Sequence, residues 1–189
     1  MKKIITLYDL DGVIADWEER ALEISGVNKE EVIPQLKQGK YLEEIVPGIM
    51  NKVSDVSGFY EGLEIFPWAH ELIDIGRKYG DVGFLTSSGN LYKRPETVPQ
   101  VTCEKLKWIS KHFTDVPPIL GREKYLCASP NTILVDDTDY KVADFVEYGG
   151  QGFLFPEQYS IRDRDIKIED VFNELEMKLQ DMTEELKAA

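Results

Sequence analysis

The sequence predicts an α/β fold of three layers: a parallel sheet with helices on both faces, carrying a small helical insertion after the first strand. Three observations predict it. Apolar runs of strand length alternate with longer amphipathic segments. Turn residues separate them at short intervals. Acidic or hydroxyl side chains recur directly after the apolar runs, and open parallel sheets build their sites at those strand ends.

Lys3–Tyr8 is β-branched and apolar and reads as a buried strand. Asp16 then has the character of a helix N-cap, with Glu19 as its capping-box partner. Residues 17–66 carry helical signals and form the predicted cap, leaving residues 1–16 and 67–189 for the core. Within the cap, Asn28 and Glu31 make a second capping box, and Val32, Ile33 and Leu36 follow at helical spacing. Pro47 and Gly48 break that pattern before Ile49 and Val53 resume it.

The core alternates regularly. Ala69–Tyr79 is a predicted helix closed by Gly80, and Val82–Thr86 a buried strand. A polar loop, Ser87–Pro99, leads to a helix over residues 100–113 with Leu106, Ile109 and Phe113 on one face. Pro118–Leu120 and Thr132–Val135 are strands. A helix over residues 139–148, with Val142, Phe145 and Val146 inward, stops at Gly149-Gly150. Gly152–Phe155 is the last strand. Residues 167–187 form an amphipathic helix striped by Ile168, Val171, Phe172, Leu175, Leu179, Met182 and Leu186. Such a stripe either packs on its own domain or makes a homodimer contact.

With 189 residues the chain has room for one domain and a small insertion, with a core that needs no disulfide or structural metal. Its 35 acids against 22 bases give a net charge of −13, which disfavours duplex nucleic acid and anionic membranes as partners. A phosphate site on such a chain needs a bound cation and local Lys or Arg. Cys103 and Cys127 suit neither zinc nor redox spacing and read as reduced thiols of a cytoplasmic protein. His70 and His112 lack a second ligand at metal spacing. The N-terminal apolar run is too short and too acidic for a signal peptide, and no run reaches membrane-spanning length.

The sharpest chemical signal is Asp9-Leu10-Asp11-Gly12-Val13, directly after the first strand. Residues i and i+2 of extended chain point the same way, so both carboxylates face one spot. They repel each other unless a cation lies between, and Mg²⁺ suits an all-oxygen set. Val13, Ile14 and Ala15 follow where an EF-hand would continue with acids, which argues against calcium. Thr86 and Ser87 end another strand and suit phosphate oxygens. Asp136 and Asp137 end a third and offer a further metal carboxylate or a helix N-cap. Lys124 is a candidate to neutralise phosphate, with Lys105 as its fallback on a basic helix face that otherwise reads as solvated. Trp17, Tyr41, Phe59 and Tyr60 are either contacts for a base or sugar or packing between cap and core.

Asp9-x-Asp11-Gly-Val, Thr86, Lys124 and Asp136-Asp137, in that order, resemble the four motifs of the haloacid dehalogenase superfamily, whose core is Rossmann-like. Within it, Asp9-Leu-Asp-Gly-Val-Ile-Ala-Asp-Trp17 and Gly58-Phe-Tyr-Glu-Gly-Leu-Glu64 are similar to segments of the 5'(3')-deoxyribonucleotidases. So are the helix from Glu104 to Phe113 and Arg122-Glu123-Lys124. The resemblance implies a Mg²⁺-dependent phosphatase acting on a small phosphate ester, a nucleoside monophosphate first. It implies Asp9 as nucleophile, Asp11 as general acid/base, and Thr86, Ser87 and Lys124 around the phosphoryl group. It implies Mg²⁺ on Asp9, the Asp11 carbonyl and Asp137, with Asp136 in support. Other readings are a phosphatase for a polynucleotide 3'-phosphate or a small metabolite, and a Mg²⁺-binding module without catalysis.

Overall fold

The computed structural model describes residues 3–89 and 91–188. Its strands are β1 (Ile4–Tyr8), β2 (Gly80–Thr86), β3 (Pro118–Leu120), β4 (Thr132–Asp136) and β5 (Gln151–Leu154). They pair in parallel in the order β3-β2-β1-β4-β5, so the first strand lies at the centre. The segment predicted as a cap contributes α1 (Trp17–Ser25), α2 (Lys29–Leu36), α3 (Leu42–Ile45) and α4 (Ile49–Ser54). The core adds α5 (Ala69–Tyr79), α6 (Val98–His112), α7 (Asp139–Glu147), α8 (Gln158–Arg162) and α9 (Ile168–Ala188). This is the α/β architecture that the alternation of runs predicts.

The two-residue period of β1 sorts its side chains between the faces. Tyr8 turns toward α5, where its hydroxyl donates to the Leu72 carbonyl at 2.8 Å. A Cβ on Gly76 would come within 2.5 Å of that hydroxyl, so only glycine lets α5 lie this close. Leu7 points the other way and joins Leu85, Leu134 and Phe145 beneath α7. The larger apolar cluster runs from the sheet into the cap through Trp17, Leu22, Val32, Leu36, Leu42, Ile49 and Val53.

The chain enters and leaves the cap side by side. Ala15 and Ile65 form an antiparallel bridge, flanked by Asp16 N–H donating to Glu64 and Phe66 N–H donating to Ile14. Asp16 caps α1 by accepting from Glu19 N–H at 3.2 Å. The reciprocal half of the expected capping box is not made. Asp16 N–H is taken by Glu64, and the Glu19 carboxylate goes instead to Lys29, Tyr159 and Arg162. At α2, the Asn28 side chain accepts from Glu30 N–H, and its amide donates to the Glu31 carboxylate.

Two expected helix faces are corrected. Leu106 lies on the exposed side of α6, whose buried residues are Val101, Glu104, Lys105, Trp108 and Ile109. Trp108 fixes that rotation, since its indole N–H donates to the Leu63 carbonyl at 2.7 Å. Val146 of α7 is likewise exposed, whereas Phe145 is fully buried. The apolar stripe of α9 buries Val171, Phe172, Leu175, Leu179 and Met182, and the helix packs on α5 and β1. The stripe thus packs on its own domain. Among the described residues, no helix is long and apolar enough to cross a membrane.

Candidate active site

The carboxyl ends of β1, β2 and β4 meet in one buried charged cluster. Asp9 continues β1, its N–H donating to the Val135 carbonyl at 2.8 Å. The following loop curls on itself, with the Ile14 and Ala15 N–H groups both donating to the Leu10 carbonyl. Gly12 has φ +79, and a Cβ there would lie 2.0 Å from Oδ2 of Asp137. Backbone conformation and space therefore both demand glycine at this position. The same contact shows that the end of β4 presses directly on the Asp9–Asp11 loop.

Three lysines divide the carboxylates among them. Lys124, buried, bridges Asp9 Oδ2 at 2.7 Å and Asp136 Oδ2 at 2.5 Å. Lys105, also buried, donates to Asp11 Oδ2 at 2.6 Å, to Thr86 Oγ1 at 2.9 Å and to the Ser87 carbonyl at 2.8 Å. Lys141, in the first turn of α7, lies 3.3 Å from Asp9 and 3.5 Å from Asp136. The residues expected from the sequence (Asp9, Asp11, Thr86, Ser87, Lys124, Asp136 and Asp137) are thus brought together. Lys105 stands beside them as well as Lys124, not in its place. Lys141 was not anticipated, because a lysine in an exposed helical turn gives no sign that it points inward.

These partners drive neighbouring carboxyl groups apart. Burial alone would raise Asp9, but the ammonium groups of Lys124, Lys141 and Lys105 outweigh it and hold Asp9 far below the usual carboxylate range. Asp11 goes the other way. Burial, with repulsion from Asp9, lifts it despite Lys105. Its Oδ1 is buried and has no hydrogen-bond partner among the described residues. Asp137 is raised well above the ordinary value by burial and by the negative charges of Asp136 and Asp9. Asp9, Asp136 and Asp137 each offer a carboxylate oxygen, and these lie within 4.8 Å of one another. Such a set of hard oxygen donors suits a hard divalent cation. Asp136 spends Oδ2 on Lys124 and Oδ1 on Thr138 N–H at 2.9 Å. Among the described residues, Asp137 has only the Thr138 hydroxyl, at 3.2 Å.

The candidate aromatic contacts separate by burial. Phe59 has no exposed surface and packs edge-on against Trp17 and Tyr60, so its ring serves the joint between cap and core. Glu104 holds that segment by accepting from Gly58 N–H at 2.7 Å and Tyr60 N–H at 3.0 Å. Trp17 is 8% exposed. Tyr41 keeps open ring surface at the rim, where its hydroxyl donates to Asp139 at the start of α7.

Beside the cluster, Glu18 accepts from the Gln158 amide at 2.9 Å, while Gln158 Oε1 is buried without a partner. Burial raises Glu18 from 4.5 to about 7. The folded protein therefore binds a proton that the unfolded chain releases. The penalty of the ionised form is absent below the unfolded value and complete above the folded one, at roughly 3 kcal/mol. Glu18→Gln is expected to raise Tm at about pH 8 by several degrees and to leave it nearly unchanged at about pH 5. Thermal melts at both pH values check this; an equal difference at the two would remove the assignment.

No protein-family model matches the chain, and no curated protein matches it. Solved structures do. A predicted phosphatase from Clostridium acetobutylicum superposes with a TM-score of 0.51 at 14% identity, covering 93% of this chain and 99% of that one. A haloacid dehalogenase-like hydrolase from Streptococcus pneumoniae gives 0.49 at 17% identity, over 85% and 90%. A haloacid dehalogenase family enzyme from Bacteroides thetaiotaomicron, solved with magnesium and inorganic phosphate, gives 0.44 at 14% identity, over 81% and 94%. The Clostridium comparison establishes a shared fold across nearly the whole of both chains.

Proposed function

We propose that this chain is a Mg²⁺-dependent phosphomonoester hydrolase of the haloacid dehalogenase type, working through an aspartyl phosphate on Asp9. More particularly, we infer that it dephosphorylates (deoxy)nucleoside monophosphates, as its resemblance to the 5'(3')-deoxyribonucleotidases implies. One observation carries the reading: Asp9, Asp136 and Asp137 bring carboxylate oxygens within 4.8 Å of one another, with Lys124 on Asp9 and Lys105 on Asp11, and Asp9 and Asp11 are pushed in opposite directions in their affinity for protons. That split separates a nucleophile from an acid.

Asp9, ionised, attacks phosphorus as the ester P–O bond breaks. Asp11, raised by burial and by repulsion from Asp9, is the group better placed to carry a proton. Lys105 anchors its Oδ2, leaving Oδ1 to protonate the departing oxygen. Asp11 then takes a proton from the water that attacks phosphorus, and the Asp9–phosphorus bond breaks to release inorganic phosphate. Thr86 accepts from Lys105, so its own hydroxyl proton is free to reach a phosphoryl oxygen. Asp9, Asp137 and the Asp11 carbonyl would hold Mg²⁺, with Asp136 fixing Lys124 behind them. The bound ion would supply charge neutralisation for phosphoryl oxygens. A divalent cation beside Lys105, Lys124 and Lys141 would supply positive charge for a phosphate monoester dianion. Tyr41 and Trp17 are the proposed contacts for the base or sugar.

Phosphate release from a panel of nucleoside monophosphates, sugar phosphates and para-nitrophenyl phosphate tests this. Mg²⁺-dependent release, abolished by EDTA and fastest with a nucleotide, is expected. Sugar phosphates turned over fastest would overturn the nucleotide assignment. Release from none of them would overturn the enzyme.

A further inference from the structure

Lys141 duplicates contacts that Lys124 already makes. Lys124 already contacts Asp9 and Asp136 at 2.7 and 2.5 Å, and both of its partners are buried with it. Lys141 reaches the same two carboxylates at 3.3 and 3.5 Å, near the limit of a hydrogen bond, and its side chain is 23% exposed. It also approaches from the side of α7, which begins at Asp139, two residues after Asp137. Two of the three carboxylates that converge within 4.8 Å of one another are therefore shared with a partly exposed ammonium group. A divalent ion and an ammonium repel strongly at such separations, in a medium less screening than water. A lysine on a flexible four-carbon stem can retreat toward the opening, where a fixed buried lysine cannot.

We propose that Lys141 is a tethered competitor for the divalent cation and couples cation binding to phosphate. The inference rests on the metal site proposed above. Entry of the ion displaces the Lys141 ammonium from Asp9 and Asp136 toward the open side of the site. An incoming phosphoryl group, itself anionic, then receives it. Phosphate thus strengthens cation binding, and by reciprocity the cation strengthens phosphate binding. Without the ammonium, the cation binds more tightly alone and gains less from phosphate.

Isothermal titration of Mn²⁺ into wild type, Lys141→Met and Lys141→Gln, each with and without inorganic phosphate, tests the proposal without reference to turnover. Both variants are expected to bind Mn²⁺ about tenfold or more tightly than wild type when phosphate is absent. The gain from added phosphate is expected to be smaller in the variants. Equal or weaker Mn²⁺ affinity in the folded variants overturns the competitor role, while wild-type binding of Mn²⁺ leaves the metal site standing. No Mn²⁺ binding by any of the proteins, each shown folded by its thermal melt, overturns the metal site itself and the inference with it.

Discussion

Asp9→Asn is expected to lower kcat for phosphomonoester hydrolysis by about a thousandfold or more, roughly 4 kcal/mol of transition-state stabilisation. The change is nearly isosteric. The Leu10 N–H, which donates to Asp9 Oδ1 at 2.7 Å, can still find an amide oxygen there. What is lost is the anion that Lys124, Lys141 and Lys105 hold deprotonated, and an amide does not attack phosphorus. Asp11→Asn should behave differently. Proton donation is worth about a hundredfold to ten-thousandfold, and less when the leaving group is already stable as an anion. The Asp11 variant should therefore lose more with a nucleoside monophosphate than with para-nitrophenyl phosphate, whereas the Asp9 variant loses both alike. Because Asp11 is raised, wild-type activity should also fall on the alkaline side as that proton leaves. Steady-state kinetics on both substrates give the answer. A loss under about tenfold in Asp9→Asn would mean that Asp9 is not the nucleophile.

The sequence showed the sheet more clearly than the cap. Strands such as Ile4–Tyr8 and Thr132–Asp136 are buried on both faces, so they read as unbroken apolar runs that few other structures produce. Asp9, Thr86 and Asp136 were legible because each ends such a run, and a parallel sheet brings strand ends together. Helix rotation was not legible in the same way. Leu106 reads as a core residue by type, yet it is exposed, while Glu104 and Lys105 read as surface and are buried. The signal for Lys105 was present as spacing: Val101, Lys105 and Trp108 follow one another at helical intervals of four and three. A charged residue in that register asks for a buried partner, and Asp11 and Thr86 supply it. Lys107, two residues on, obeys the ordinary rule and pairs with Glu61 on the surface. Lys141 stands four residues before the buried Phe145, but its helix buries too few residues for that spacing to mark it as inward. Only the fold shows that the start of α7 overhangs the ends of β1 and β4.

Lys124→Met is expected to be the most destabilising single change in the site, at about 3–5 kcal/mol, because it leaves buried carboxylates without their nearest counter-ion. Asp9 and Asp136 are 4% and 0% exposed at their side chains, so water cannot replace the ammonium. Lys141 remains, at longer range, and offsets part of the loss. For a chain of this size the cost corresponds to a fall in Tm on the order of ten degrees. The sign of its pH dependence identifies the cause. Asp9 is held far below its ordinary value, so in wild type its pairing stabilises the fold above the unfolded pKa and is lost as pH drops through the folded one. The variant lacks that contribution, so its deficit should be greatest near neutrality and shrink at acid pH, where the carboxylates can protonate. Lys107→Met, at a solvent-exposed pair with Glu61, should change stability by no more than about 1 kcal/mol and serves as the control. Mg²⁺ should raise the Tm of Lys124→Met more than that of wild type, because the cation then supplies charge that the lysine no longer does. Urea denaturation across pH, with and without Mg²⁺, measures all three effects. A deficit that stays constant from neutral to acid pH would mean that Lys124 acts through packing of its stem rather than through its charge.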